Sequence, residues 1–184
     1  AAASGVAITH LKPHGALYNA MAEDAVLARL VLTATTERSP GIAVFTLPGS
    51  ATERVAEQLG LPVVAEGFPE RGYRADALLQ PRTLAGALIE DPAEVGQRAV
   101  GFAAGGGIPA VDGTIIRPTV ATLCVHSDHP NAVDNLAAMR SARSRATAAP
   151  LRVRPSARPS RSRRPGRASP RLRATSTATA FRTS

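Results

Sequence analysis

Three short clusters along this chain carry side chains that can do chemistry. The first is HLKPHGALYN, residues 10–19. Pro13 fixes the local backbone and biases Lys12 toward an extended conformation, while Gly15 lets the chain turn or a ligand come close. Lys12 and His14 thus put an ammonium and an imidazole next to each other. The amine can hold an anion or a developing oxyanion, and the imidazole can move protons near neutral pH. The second cluster is EGFPERGYRADALLQPR, residues 66–82. It gathers Glu66, Glu70, Arg71, Tyr73, Arg74, Asp76 and Arg82 in one stretch. Arg71 and Arg82 can clamp a carboxylate or phosphate, and Glu66 or Asp76 can serve as a base or metal ligand. The third is LCVHSDHPNAV, residues 123–133, with His126 and Asp128 spaced as H-x-D and His129 as a second imidazole. That spacing supplies at most part of a metal shell. Cys124 sits inside an apolar run and reads as a small packed hydrophobe. Each cluster also has a plainer reading, as a strand-to-helix turn with an exposed lysine or as a solvated charged loop.

The elements that must position these clusters follow from hydrophobic patterning. Val6–Leu11 reads as a strand. Residues 17–37 read as one helix, with Leu27, Leu30 and Val31 sharing a face. Ile42–Leu47 is a buried-strand run. Ser50 and Glu53 form an S-x-x-E capping box for a helix that Gly60 closes. Val63–Phe68 is the next strand, and residues 69–90 read as a long loop, a kind of segment that is often functional. Asp91, Pro92 and Glu94 signal a helix ending near Gly105–Gly107. Asp112-Gly113 marks a hairpin turn within Ala110–Arg117. Leu123–His126 is a last strand, and Ser127 or Asp128 caps a final helix beginning near Pro130. Alternating strands and helices predict an α/β fold with a largely parallel sheet. Functional groups then gather past the C-terminal ends of the strands, which is where all three clusters fall. Lys12, His14, Glu66 and His126 are expected to line one cleft.

Charge divides the chain in two. Residues 1–139 carry nine Lys and Arg against fourteen Asp and Glu, a net of −5, whereas residues 140–184 carry thirteen Arg and no acid. The second segment is rich in Arg, Pro and Ser and has no periodicity. It is expected to be a disordered tail and has the composition of a shifted reading frame. A polyanion-binding role through that tail is one functional alternative, with nucleic acid bound only non-specifically. One cysteine excludes an intrachain disulfide. No apolar run reaches membrane-spanning length, and AAASGVAITH lacks the basic start of a signal peptide, so a cytoplasmic location is expected. No Walker or G-x-G-x-x-G sequence occurs, and the glycines at 105–107 fall at a helix end, the wrong place to cradle phosphate.

Taken together, the three clusters resemble the LamB/YcsF family, which provides the A chain of bacterial 5-oxoprolinase. HLKPHGALYN resembles the family's VKPHGALYN, EGFPERGYRADALLQPR its E-x-F-A-D-R-x-Y-x-x-D-G-x-L-x-x-R stretch, and LCVHSDHPNAV its C-V-H-G-D-x-P-x-A-V stretch. Order and spacing agree over about residues 5–138. The resemblance implies a seven-stranded (β/α) barrel similar to the glycoside hydrolase/deacetylase superfamily, present here in part over residues 1–139. It implies ATP-dependent opening of 5-oxo-L-proline to L-glutamate, with ATP and Mg2+ and with partner subunits B and C. Carried over residue by residue, the catalytic candidates are Lys12, His14, Glu66, Asp76, His126 and Asp128, with His14 or Asp128 activating water. The substrate- or ATP-binding candidates are Tyr18, Asn19, Arg71, Tyr73 and Arg82. No metal ligand is assigned, and a metal-dependent deacetylase-like hydrolase stands as the alternative enzyme. Pro69 and Glu70 stand where the family pattern has Ala-Asp, Ala77 where it has Gly, and Ser127 where it has the Gly of H-G-D. The family's opening D-L-N-C-D strand and the C-G-F-H-A-G-D and A-H-P-S-Y-P-D segments have no counterpart. The chain alone is therefore expected neither to close a barrel nor to cleave 5-oxoproline.

Overall fold

A computed structural model describes residues 7–148, and the statements below concern those residues. Four short strands form one parallel sheet: β1 (His10–Leu11), β2 (Ala43–Thr46), β3 (Val63–Gly67) and β6 (Thr122–Leu123), in the order β1-β2-β3-β6. Register pairs Leu11 with Val44, Phe45 with Val64 and Glu66 with Thr122. Because every neighbour runs in the same direction, all C-terminal strand ends meet at one edge, and the segments after β1, β3 and β6 converge there. The expected strand from Val6 begins only at His10, and Val6 itself lies outside the described residues. The last strand is Thr122–Leu123 rather than Leu123–His126, because beyond Cys124 the chain turns away to reach Glu70.

Local signals set the helices. The expected single helix over 17–37 is two, α1 (Gly15–Glu23) and α2 (Ala25–Arg38). Asp24 divides them: its carboxylate accepts from the backbone N–H groups of Val26 and Leu27 and so caps α2. The buried face of α2 is Ala28 and Leu32, flanked by Leu27 and Val31, whereas Leu30 is 68% exposed. Ser50 caps α3 (Ala51–Gln58) by accepting from Glu53 N–H, and the Glu53 carboxylate reaches back to Gly49 N–H. Asp91 caps α4 (Pro92–Ala103). Between α4 and β6, β4 (Ile108–Pro109) and β5 (Ile115–Ile116) form the expected hairpin, its turn held by Asp112 accepting from Thr114 N–H.

The final helix, α5 (Ala132–Ala148), runs nine residues past Met139. Disorder from residue 140 is therefore corrected for residues 140–148, and the rest of the tail lies outside the described residues. The sequence there still favours a helix through its Ala and Arg content. The α4–α5 contact also reaches beyond Met139, since at Gly96 a Cβ would meet Ala138 O at 3.0 Å and Ala142 Cβ at 3.4 Å.

Residues 69–90 have no regular secondary structure but are tightly folded. Gly72 N–H donates to Ala87 O, Gln80 N–H to Gly72 O, and Ile89 N–H to Glu70 O. Gly72 is obligatory, because a Cβ there would sit 1.9 Å from Gly86 O. The buried Arg98 guanidinium, reaching in from α4, donates to the carbonyls of Pro69, Arg71 and Pro109. Two apolar clusters complete the core. One, built on Met21, Leu32, Val44 and Val55, packs helices onto the sheet. The other, built on Tyr18, Phe68, Tyr73 and Phe102, lies beneath the C-terminal edge.

One residue of the folded loop is strained. Ala77 has φ 65°, the left-handed region that disfavours a Cβ. Ala77→Gly should therefore stabilise the protein by about 0.5–1 kcal/mol, the relief of strain exceeding the entropy glycine adds to the unfolded chain. Equilibrium chemical denaturation of the two proteins measures this.

Candidate active site

Lys12 follows β1 and reaches across β2 to Glu66 on β3, where its ammonium pairs with Glu66 Oε2. Glu66 is fully buried, and its Oε1 has no hydrogen-bond partner among the described residues. The ammonium lies 5.7 Å from the ring centres of both Phe45 and Phe68, within the range of cation–π attraction. Burial works against the charged amine. The hydrogen bond and charge of Glu66, with a contact to Cys124, outweigh it and raise the Lys12 pKa. Cys124 thus borders the site, yet burial pushes its thiol up by more than Lys12 pulls it down, so it is a thiol and not a thiolate at neutral pH. The Tyr18 hydroxyl is buried near the Glu66 carboxylate, with no hydrogen bond of normal length among the described residues. Burial, then the charge of Glu66, lift it above the usual tyrosine range and keep it a neutral O–H.

The other buried acid is Glu70, just after β3. Its Oε1 accepts from His126 backbone N–H at 2.7 Å and contacts His126 Nδ1 at 2.5 Å. The Phe68 ring stacks on the imidazole, centroids 5.6 Å apart and planes 19° off parallel. Arg71 donates through Nε to Ala87 O and through Nη2 to Gln80 O. Burial, then the neighbouring Arg82 charge, lower its pKa. Two guanidiniums that repel each other across a cleft make a place where an anion is welcome.

Lys12, His14, Tyr18, Asn19, Arg71, Arg82 and His126 line one cleft with Phe68 and Leu79, and Glu66 sits beneath Lys12. His14 is exposed at the N-cap of α1, whose first turn holds no acid. Asp128 is solvent-facing, 4.0 Å from Arg82, on an adjoining groove of about 660 Å³ that also includes His14, Asn19 and His126. Two expected site residues stand elsewhere. Tyr73 is wholly buried and its hydroxyl accepts from Phe68 N–H, because a phenol inside an apolar cluster must satisfy a backbone group there. Asp76 turns outward and pairs with Arg74, which also binds Glu23. Three members went unassigned by sequence reasoning: Glu70, Phe68 and Cys124. Only Glu70 left a signal, as one acid among several in its loop. Among the described residues no three His, Cys, Asp or Glu side chains gather to hold a metal ion.

The model of the LamB/YcsF family matches residues 1–159. The chain belongs to the LamB/YcsF family. It is 45% identical over 139 residues to the 5-oxoprolinase A chain of Heliobacterium modesticaldum, covering 76% of this chain and 55% of that protein. It is 42% identical over 138 residues to the 5-oxoprolinase A chain of Pyrococcus furiosus, covering 75% and 54%. The crystal structure of a lactam utilization protein from Thermus thermophilus superposes with a TM-score of 0.69 at 38% identity, covering 79% of this chain and 58% of that one. This LamB/YcsF chain thus shares an α/β fold with that protein and spans a little over half the length of the curated relatives it matches.

Removing one partner of the Lys12–Glu66 pair leaves a buried charge uncompensated. Lys12→Met should cost about 3 kcal/mol in denaturation experiments, and adding Glu66→Gln should recover part of it. The pair also sets a pH dependence. A raised lysine pKa contributes stability that is complete below the unfolded value of 10.5 and lost as pH rises through the folded one. Wild type should therefore lose stability above that pH more steeply than Lys12→Met.

Proposed function

We propose that this chain supplies the C-terminal-edge site of a 5-oxoprolinase A chain, opening 5-oxo-L-proline to L-glutamate in an ATP-dependent reaction with partner subunits B and C. The observation that carries this reading is the cationic cleft itself. Lys12, held by Glu66, faces Arg71 and Arg82 in a chain whose relatives are named as the A component of 5-oxoprolinase. The substrate offers a carboxylate, a ring amide N–H and a poorly electrophilic carbonyl. Arg82 and Nη1 of Arg71, which bonds to none of the described residues, suit the carboxylate. Asn19 presents a donor and an acceptor complementary to the ring amide. Lys12 and the neutral Tyr18 hydroxyl suit negative charge developing on the carbonyl oxygen.

ATP, with Mg2+, supplies the phosphoryl group that activates so unreactive an amide. The acid-free N-terminus of α1, beside Lys12 and Arg82, is chemically suited to its phosphates. The parallel β1-β2-β3-β6 sheet is read as part of a (β/α) barrel of the seven-stranded glycoside hydrolase/deacetylase type, in a protein that works in the cytoplasm. Among the described residues no helix is long and apolar enough to cross a membrane. The relatives' names favour neither the metal-dependent hydrolase nor the polyanion-binding alternative.

The test replaces the matching segment of the Heliobacterium modesticaldum relative with residues 7–148 of this chain. Glutamate release from 5-oxoproline is then followed with subunits B and C. ATP-dependent release by the chimera, and none by this chain alone, is expected. Arg82→Ala should raise KM for 5-oxoproline about tenfold, the value of one charged hydrogen bond. A folded chimera that releases no glutamate beside an active parent would sink the reading.

A further inference from the structure

We propose that Glu70 is the positioning residue for His126, and that it presents Nε2 of that imidazole to the cleft as the proton acceptor of the ring-opening step. The proton-acceptor role rests on the 5-oxoprolinase reading, whereas the positioning is a property of the folded chain.

A single oxygen ties down both parts of His126. Glu70 Oε1 takes the backbone N–H at 2.7 Å and meets Nδ1 at 2.5 Å. A backbone N–H can only donate, so this oxygen serves as an acceptor, and a carboxylate there takes a second donor rather than offering a proton. Nδ1 therefore carries the hydrogen of the neutral ring, and the lone pair is on Nε2. Nε2 has no partner among the described residues, and His126 borders both the cleft and the groove outside it. Phe68 covers one face of the ring. The imidazole cannot swing without giving up the Nδ1 hydrogen bond and the stacking contact.

Glu70 is itself rigidly mounted. It is fully buried, and the residues on either side of it, Pro69 and Arg71, both give their carbonyls to the buried guanidinium of Arg98. Its own carbonyl accepts from Ile89 N–H. A short run of backbone gripped on both sides is what a positioning carboxylate needs. Asp128, the acid of the H-x-D spacing, does not fill this role, because its side chain is 71% exposed and directed to Arg82.

In the step assigned to His126, Nε2 takes one proton from water while the water oxygen bonds to the ring carbonyl carbon. The carbon–nitrogen bond then breaks, the proton passes to the departing nitrogen, which becomes the amine of glutamate, and a second water releases the phosphoryl group taken from ATP as inorganic phosphate.

The experiment is nitrogen-15 NMR on the full chain labelled at histidine, at a pH where the imidazoles are neutral, with His126→Gln assigning the signal. His126 should show the Nδ1–H tautomer in wild type and in Glu70→Gln, whose amide oxygen remains an acceptor. It should revert to the Nε2–H form favoured by free histidine in Glu70→Leu. The wild-type spectrum decides the positioning claim even if Glu70→Leu does not fold, and an Nε2–H signal there overturns it. In the active chimera, Glu70→Leu should lower kcat about a hundredfold with KM changed less than about threefold. Unchanged kcat in His126→Gln would overturn the proton-acceptor role. If the chimera releases no glutamate while the Nδ1–H signal is present, the 5-oxoprolinase reading fails and the Glu70–His126 arrangement stands.

Discussion

A carboxylate with no contact to solvent needs its compensating charge inside the protein. Glu66 sits in the sheet at the end of β3, and the charge that answers it is Lys12, beyond the end of β1 with β2 between them. This one interaction fixes how the strand ends are aligned. It holds the Lys-Pro-His turn against the sheet edge, which sets where α1 begins and where Tyr18 and Asn19 point. It also leaves Oε1 of Glu66 and the Tyr18 hydroxyl buried beside the cleft with no hydrogen bond of normal length among the described residues. Polar groups kept dry and unpaired are costly for folding. At the edge of a cationic cleft they are groups a ligand can satisfy.

The cleft follows a consistent electrostatic rule. Its two acids, Glu66 and Glu70, are withdrawn from solvent and each holds one nitrogen-bearing side chain, Lys12 or His126. The cationic groups stand forward of them, with Arg82 half-exposed and Arg71 tethered through two carbonyls. The acids do not neutralise the cleft at its mouth. They orient its functional groups from behind, so Lys12, Arg71 and Arg82 are the charged groups that line the cleft itself. Arg98 extends the same logic one layer further back, since its planar fork satisfies three carbonyls, two of them from the folded loop, and fixes the segment that bears Glu70.

Ala77 shows how a family pattern and a conformation relate. The residue occupies a left-handed backbone position where the family pattern has glycine, and the strain is local to the turn from Arg74 to Leu78. That turn also carries Asp76, which explains its outward path: the Arg74–Asp76 ion pair and the Leu78 N–H bond to Asp76 close the turn on its solvent side. An acid spent on holding a turn is not available to the cleft.

Sequence alone was enough for most element types, the capping residues Ser50 and Asp91, the Asp112-Gly113 hairpin and the parallel α/β class, because these depend on local periodicity and on side chains bonding to nearby backbone. It also placed Lys12, His14 and His126 after strands, from which a parallel sheet brings them to one edge. It did not divide α1 from α2, since Asp24 caps a helix only if the chain bends there, and its spacing alone does not show that bend. It did not separate Tyr73 and Asp76 from the cleft, or pick Glu70 out of a loop holding several acids. Those outcomes rest on which way each side chain of residues 69–90 points, and that direction is set by distant contacts: Arg98 from α4, Ala87 and Ile89 from the loop's far arm, and His126 from beyond β6. Charge and residue type were local facts, whereas burial and partnership became facts only when segments far apart in sequence closed on one another.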